Sequence, residues 1–117
     1  MSMIFALLLA AQAAAPAPDW RLIGRAGDRN LSYDAASPRR GPEVVTVMVR
    51  NDPAEAPGAS PYAISRMEIR CAAAMLRVEE TISYRPDGSV IGTDRVPEPF
   101  ESIPPGSFVE VIHRAVC

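Results

Sequence analysis

Met67-Glu68-Ile69-Arg70-Cys71, then Ala72-Ala73-Ala74, then Met75-Leu76-Arg77-Val78-Glu79-Glu80-Thr81-Ile82-Ser83-Tyr84, is the stretch on which the fold turns. Side chains alternate faces along a strand, so Met67, Ile69 and Cys71 share one face while Arg66, Glu68 and Arg70 share the other. That is the pattern of a half-buried strand. The three alanines read as a tight turn. A second strand after it places Leu76, Val78, Ile82 and Tyr84 on one face, with Met75, Arg77, Glu79, Thr81 and Ser83 opposite. Glu80 breaks that parity. Either a bulge turns it outward or it sits inward against an arginine, because an unpaired buried carboxylate is costly.

Cys71 and Cys117 are the only cysteines in the chain. In an oxidising compartment a lone pair is most simply one disulfide, here closing nearly half the chain. The loop-entropy model gives about 4 kcal/mol for such a loop, comparable to the whole stability of a small domain. A metal site lacks enough ligands, and a redox pair lacks the Cys-x-x-Cys spacing.

Toward the N-terminus, Ile4-Phe5-Ala6-Leu7-Leu8-Leu9-Ala10 is a short apolar run followed by the small-x-small segment Ala11-Gln12-Ala13. Residues 1–13 therefore read as a secretory signal peptide, too short for a transmembrane helix of about 20 residues. No cysteine follows the run, which argues against lipid attachment at a processed N-terminal cysteine. Residues 14–19 read as a flexible leader, and residues 20–117 as a single domain. The mature chain is expected to have no transmembrane segment.

Within that domain, Trp20-Arg21-Leu22-Ile23-Gly24 reads as a first strand, ended by the turn residues Gly27-Asp28, and Asn30-Leu31-Ser32-Tyr33-Asp34 as a second. Trp20 reads as a core or edge-packing aromatic rather than a ligand platform, since no second aromatic accompanies it in sequence. Ser37-Pro38 and Gly41-Pro42 mark a turn. Glu43-Val44-Val45-Thr46-Val47-Met48-Val49-Arg50 is the strongest β signal, is placed centrally, and ends at an Asn51-Asp52-Pro53 break. With Val45, Val47 and Val49 inward, Val44 and Met48 fall on the other face. Either a second layer or a twin subunit covers them, or they are two ordinary exposed apolar side chains.

Residues 51–61 read as a loop, Arg85-Pro86-Asp87-Gly88 as a turn, and Ser89-Val90-Ile91-Gly92-Thr93 as a return strand. The proline-rich residues 95–106 cross the surface irregularly. Ser107-Phe108-Val109-Glu110 has capping-box spacing, and Phe108, Val111, Ile112 and Ala115 recur at helical spacing on one face. The expected fold is α+β: an antiparallel β-sheet of about six strands, one C-terminal helix packed on it, and one disulfide.

Little in the sequence points to chemistry. His113 is the only histidine and falls with Glu110 and Arg114 on the helix side expected to face solvent. With both cysteines committed, neither a hydrolytic triad nor a metal site is readily assembled. Glu79 and Glu80 are strand neighbours and point apart. No enzymatic role, cofactor or metal is expected. The net charge is −2 and every basic side chain in the chain is an arginine, scattered among acids, so there is no electrostatic case for nucleic acid.

The order of these features is more telling than any one of them. Trp20 opening the first strand, Tyr33-Asp34, the valine-rich strand through Arg50, Met67 to Cys71, Tyr84 with Asp87-Gly88, Pro105-Gly106-Ser107, and a final Ala115-Val116-Cys117 together resemble the surface-adhesin protein E family of Gram-negative bacteria. The resemblance covers essentially all of residues 20–117. It implies an antiparallel sheet with a C-terminal helix, and adhesion to host extracellular-matrix proteins. The leading expectation is a non-enzymatic, exported bacterial envelope protein, periplasmic or at the cell surface, that binds a protein or other envelope macromolecule; a homodimer through the apolar sheet face is a further expectation, tied to the periplasmic alternative. The alternatives are a soluble periplasmic small-ligand-binding or envelope-maintenance module and an inhibitor of an envelope hydrolase.

Overall fold

The computed structural model describes residues 17–55, 58–95 and 97–117; the expected signal peptide, residues 1–13, lies outside them. Eight strands form a single sheet: β1 (Trp20–Ala26), β2 (Arg29–Asp34), β3 (Arg39–Arg40), β4 (Val45–Pro53), β5 (Tyr62–Arg70), β6 (Met75–Tyr84), β7 (Val90–Asp94) and β8 (Glu101–Ser102). Their main path is β1-β2-β4-β5-β6-β7, and every pairing is antiparallel. The two-residue strands fill out the edges. β3 continues β2 along β4, and β8 pairs with β6 beyond the end of β7. Arg39 and Arg40, expected within a turn, extend because the backbone between the two proline turns runs beside the free end of β4.

The valine alternation of β4 sets the core. Val45, Val47 and Val49 are buried beside Met67 and Ile69 of β5, in the register Val45 to Ile69 and Val47 to Met67. A single helix among the described residues, α1 (Phe108–Val116), lies over them and inserts Ile112 and Val116. Val47, Ile69 and Ile112 are the largest side chains fully out of solvent, each stabilising the fold by roughly 1.5–3 kcal/mol relative to exposure. β4 and β5 are the central strands, as the β-branched run predicts. β4 also continues through Asn51-Asp52-Pro53, past the expected break. β2 pairs along it to Pro53, whereas pairing with β5 ends at Asn51, so the missing proline N–H falls beyond the β5 ladder.

Two sequence expectations change in three dimensions. In the β5–β6 ladder, Arg66 faces Glu80 but Met67 faces Val78, so Glu79 is an extra residue in a bulge. The bulge reverses the parity of β6. Leu76 and Val78 face the helix, whereas Ile82 and Tyr84, expected beside them, lie on the opposite face. The second change is the rotation of α1. Val109, Ile112 and Val116 face the core, while Val111 is 47% exposed and Ala115 is exposed. Helical spacing fixes an apolar stripe only to within one position, and two tertiary contacts decide between the candidates. Cys117 is bonded to Cys71 at the end of β5, with Cα atoms 5.6 Å apart. Phe108 at the other end sits over Gly24, where a Cβ would come within 2.7 Å of its ring.

Candidate binding surface

Among the described residues, only one face of the sheet carries a helix. The other presents alternate residues of every long strand, and the register aligns them into rows across the sheet. A diagonal line runs from Trp20 in β1 through Arg50 in β4 and Tyr62 in β5 to Tyr84 in β6: Tyr62 and Tyr84 are register partners, whereas Arg50 pairs with Ile64 and meets Tyr62 and Trp20 as diagonal neighbours. The Arg50 guanidinium lies 3.9 Å from the Tyr62 ring centre and 5.9 Å from that of Trp20. Tyr62 and Tyr84 are stacked with centroids 5.1 Å apart. The result is a ladder of planar groups across three central strands and one edge.

Hydrogen bonds hold two of the rungs, Trp20 and Arg50. Asp34 is buried at the end of β2, and its Oδ1 accepts hydrogen bonds from the backbone N–H groups of Asp19 at 2.8 Å and Ala36 at 2.9 Å. This fixes the start of β1 and hence Trp20. The residue before Trp20 belongs to the expected leader, yet Asp19 also accepts from Arg21, whose guanidinium is raised further above its ordinary value mainly by that hydrogen bond. Arg50 donates from Nε to Asp52, at 3.0 and 2.9 Å to its two carboxylate oxygens. The orientation of the guanidinium is therefore set, with its central carbon close over the Tyr62 ring. Sequence spacing gave no sign of this, because Trp20, Arg50, Tyr62 and Tyr84 lie far apart in the chain and meet only through strand register.

Beside the ladder, Met48, Ile64 and Ile82 form an apolar strip bordered by charge. The bulge delivers Glu80 here, buried yet on the face away from the helix. Its carboxylate receives Arg66 Nη2 at 2.8 Å and lies 3.4 Å from Arg95 Nε. The bulge reading of Glu80 holds, since the acid is turned off the helix face; of the other reading the arginine pairing holds but the inward placement does not. Arg66 Nε is itself buried, 3.2 Å from Glu79 Oε2, without completing a hydrogen bond. Two shallow cavities open on this face, about 180 Å³ over Met48, Ile64 and Ile82, and about 560 Å³ between Ser37, Arg39 and Met48. Further along, Phe100 carries the guanidiniums of Arg70 at 3.9 Å and Arg77 at 4.6 Å, and Arg77 also donates to Glu68. Leu22 and Val90 mark the two outer strands of the surface, 66% and 52% exposed.

The residues singled out in the sequence lie elsewhere. Cys71 and Cys117 are joined at the end of the helix-covered face. His113, expected on the solvent side of α1, is half-buried instead, and its Nε2 lies 3.0 Å from the Cys71 carbonyl oxygen. The ring ties the helix to the hairpin turn. Among the described residues no three His, Cys, Asp or Glu side chains gather in a way that would hold a metal ion, and no helix is long and apolar enough to cross a membrane.

The geometry is that of a rigid sheet offering one amphipathic face. Its aromatic and arginine side chains suit contact with another large molecule, and among the described residues no nucleophile and base converge on it. Searches of curated proteins and of solved structures return no significant match. The sequence model of the family described as surface-adhesin protein E matches residues 20–117, from the first residue of β1 to the disulfide cysteine after α1, and the chain belongs to that family.

Proposed function

We propose that this chain is an exported, non-enzymatic binding domain of a bacterial envelope that takes a macromolecular partner on the uncovered face of its sheet, with host extracellular-matrix protein as the partner class. Residues 1–13 direct export in this reading and residues 20–117 are the binding unit. The observation that carries it is the ladder of Trp20, Arg50, Tyr62 and Tyr84, with Arg50 oriented by Asp52 and the tyrosines stacked, left without a covering layer among the described residues. Tryptophan, tyrosine and arginine dominate the energetics of protein interfaces because they bury large areas at low entropic cost. Family membership supports an adhesin-like protein at the cell surface.

The test joins location to binding. A tagged chain is expressed, intact cells are treated with protease, and the purified protein is titrated onto immobilised matrix proteins. Loss of the tag from intact cells, with saturable binding that Trp20→Ala and Tyr62→Ala each weaken about tenfold or more, is the expected result. Protection until the outer membrane is opened would overturn the host-matrix assignment and favour an envelope partner. Binding unchanged in both variants would overturn the surface itself.

A further inference from the structure

The uncovered face of the sheet carries more arginine than acid. On β4, β5 and β6 its acids are Asp52, Glu68, Glu79 and Glu80, and each is engaged by an arginine. Arg39 and Arg70 are left over, in a chain whose net charge is −2. Arg70 is occupied by stacking on Phe100. Arg39 is exposed and has no side-chain acceptor among the described residues.

Strand register fixes what surrounds Arg39. It lies opposite Thr46, and Met48, two residues further along β4, lies opposite Arg66, so all four side chains share the face away from the helix. They line one cavity of about 560 Å³ together with Ser37 and Glu79. Arg66 is committed there to Glu79 and Glu80. The Thr46 hydroxyl, like Arg39, has no hydrogen-bond partner among the described residues. Residues directly opposed across two strands have Cβ atoms about 5 Å apart, so Arg39 and Thr46 are neighbouring donors without an acceptor. A carboxylate accepts from both. Met48 also lines the smaller cavity with Ile64 and Ile82, which extends the site as an apolar floor. Alternate residues of a strand are about 7 Å apart, so the donor pair and this floor are spaced like alternate side chains of an extended peptide.

We propose that this trough takes an acidic, extended segment of a partner protein, with an aspartate or glutamate carboxylate on Arg39 and Thr46 and an apolar side chain two residues away over Met48, Ile64 and Ile82. The assignment rests on the partner surface proposed above and adds the charge and spacing of what binds there.

The purified full chain is titrated with the blocked peptide Ser-Asp-Ser-Leu-Ser-Leu and followed by backbone amide shifts. Companion peptides carry Asn or Lys in place of Asp, or Ser in place of both Leu. The expected result is saturable binding of the first peptide, with shifts centred on residues 37–48, 64–66 and 79–82, and each companion about tenfold weaker or worse. Arg39→Gln should abolish the preference for Asp over Asn, and Thr46→Val should reduce it. Arg40→Gln removes the same charge from the helix-covered face, beside Val45, and should leave the preference unchanged. Equal binding of the Asp and Asn peptides, a preference that survives Arg39→Gln, or one lost as fully in Arg40→Gln would each overturn the proposal. Immobilised matrix protein separates this site from the ladder. Binding that Trp20→Ala weakens and Arg39→Gln does not would overturn the acidic anchor and leave the ladder standing. Binding that Arg39→Gln weakens and Trp20→Ala does not would overturn the ladder and leave the anchor. Arg39 is exposed, so its substitution should leave the fold intact, which circular dichroism verifies.

Discussion

Glu80 shows how one residue links register to electrostatics. Its carboxylate is buried because the extra residue Glu79 rotates it onto the uncovered face, and it persists there because Arg66 and Arg95 surround it. Removing the closer arginine leaves a largely desolvated charge with Arg95, 3.4 Å away on a mostly exposed side chain, as its remaining partner. Arg66→Met should therefore cost about 2 kcal/mol, read from urea denaturation; a loss below about 0.5 kcal/mol would mean that Arg95 and water suffice. Ala74, at φ 51°, closes the β5–β6 turn in the left-handed region that side chains disfavour. Ala74→Gly relieves that strain but adds freedom to the unfolded chain, so a net gain of about 0.5 kcal/mol is expected from the same measurement. In the next turn Asp87 accepts from Ser89 Oγ at 2.7 Å and Ser89 N at 2.9 Å, and these bonds hold its carboxyl below the ordinary 3.8. A lowered folded-state value means that the turn is favoured fully above pH 3.8 and loses that contribution as pH falls through the folded value. Carboxyl titration by NMR should show the depression, and Ser89→Ala should reduce it. At this scale the sequence was partly legible. The parity break at Glu80 was visible, but which residue bulged depended on β5 register, and that placed Ile82 and Tyr84 on the unexpected face.

Helix α1 is the element whose placement the rest of the fold negotiates. Its start was written in the sequence: Ser107 is the N-cap, and its Oγ accepts from Glu110 N at 3.3 Å. Ser107→Ala should cost about 1 kcal/mol, and a much smaller change in chemical denaturation would show that the cap bond contributes little. Its rotation was not legible, because Val109, Val111, Ile112, Ala115 and Val116 allow two overlapping apolar stripes and only tertiary contacts choose between them. Gly24 is one such contact. A side chain there meets the Phe108 ring, so Gly24→Val should push the ring aside and loosen the docking of α1 on β1. The expected cost is about 1–3 kcal/mol, and the second substitution Phe108→Ala should recover part of it. Independent, additive losses would show that Gly24 serves β1 alone and that the helix is aligned from its other end.

For the molecule as a whole, the disulfide decides which face of the sheet is available. One short helix covers the core, held by Ile112 and Val116, by His113 against the Cys71 carbonyl, and by the bond from Cys117 back to Cys71 across 46 residues. A nine-residue helix is marginal alone. Its persistence therefore depends on tertiary attachment, and the cross-link limits how far it departs in the unfolded ensemble. Loop entropy puts that restriction at about 4 kcal/mol, a large share of the stability of a domain this small. Cys117→Ser should lower the unfolding free energy by an amount approaching this value, and reductant should do the same to the parent protein. The structural consequence reaches further than stability. If α1 is released, Val45, Val47 and Ile69 become a second apolar face, and a sheet with two sticky faces and no covering layer is prone to associate. The reduced protein should then bind a hydrophobic dye and aggregate, while the oxidised protein presents the ladder face and keeps the core face covered. A Cys117→Ser chain that remains monomeric, dye-negative and nearly as stable would show that helix packing alone keeps the two faces distinct.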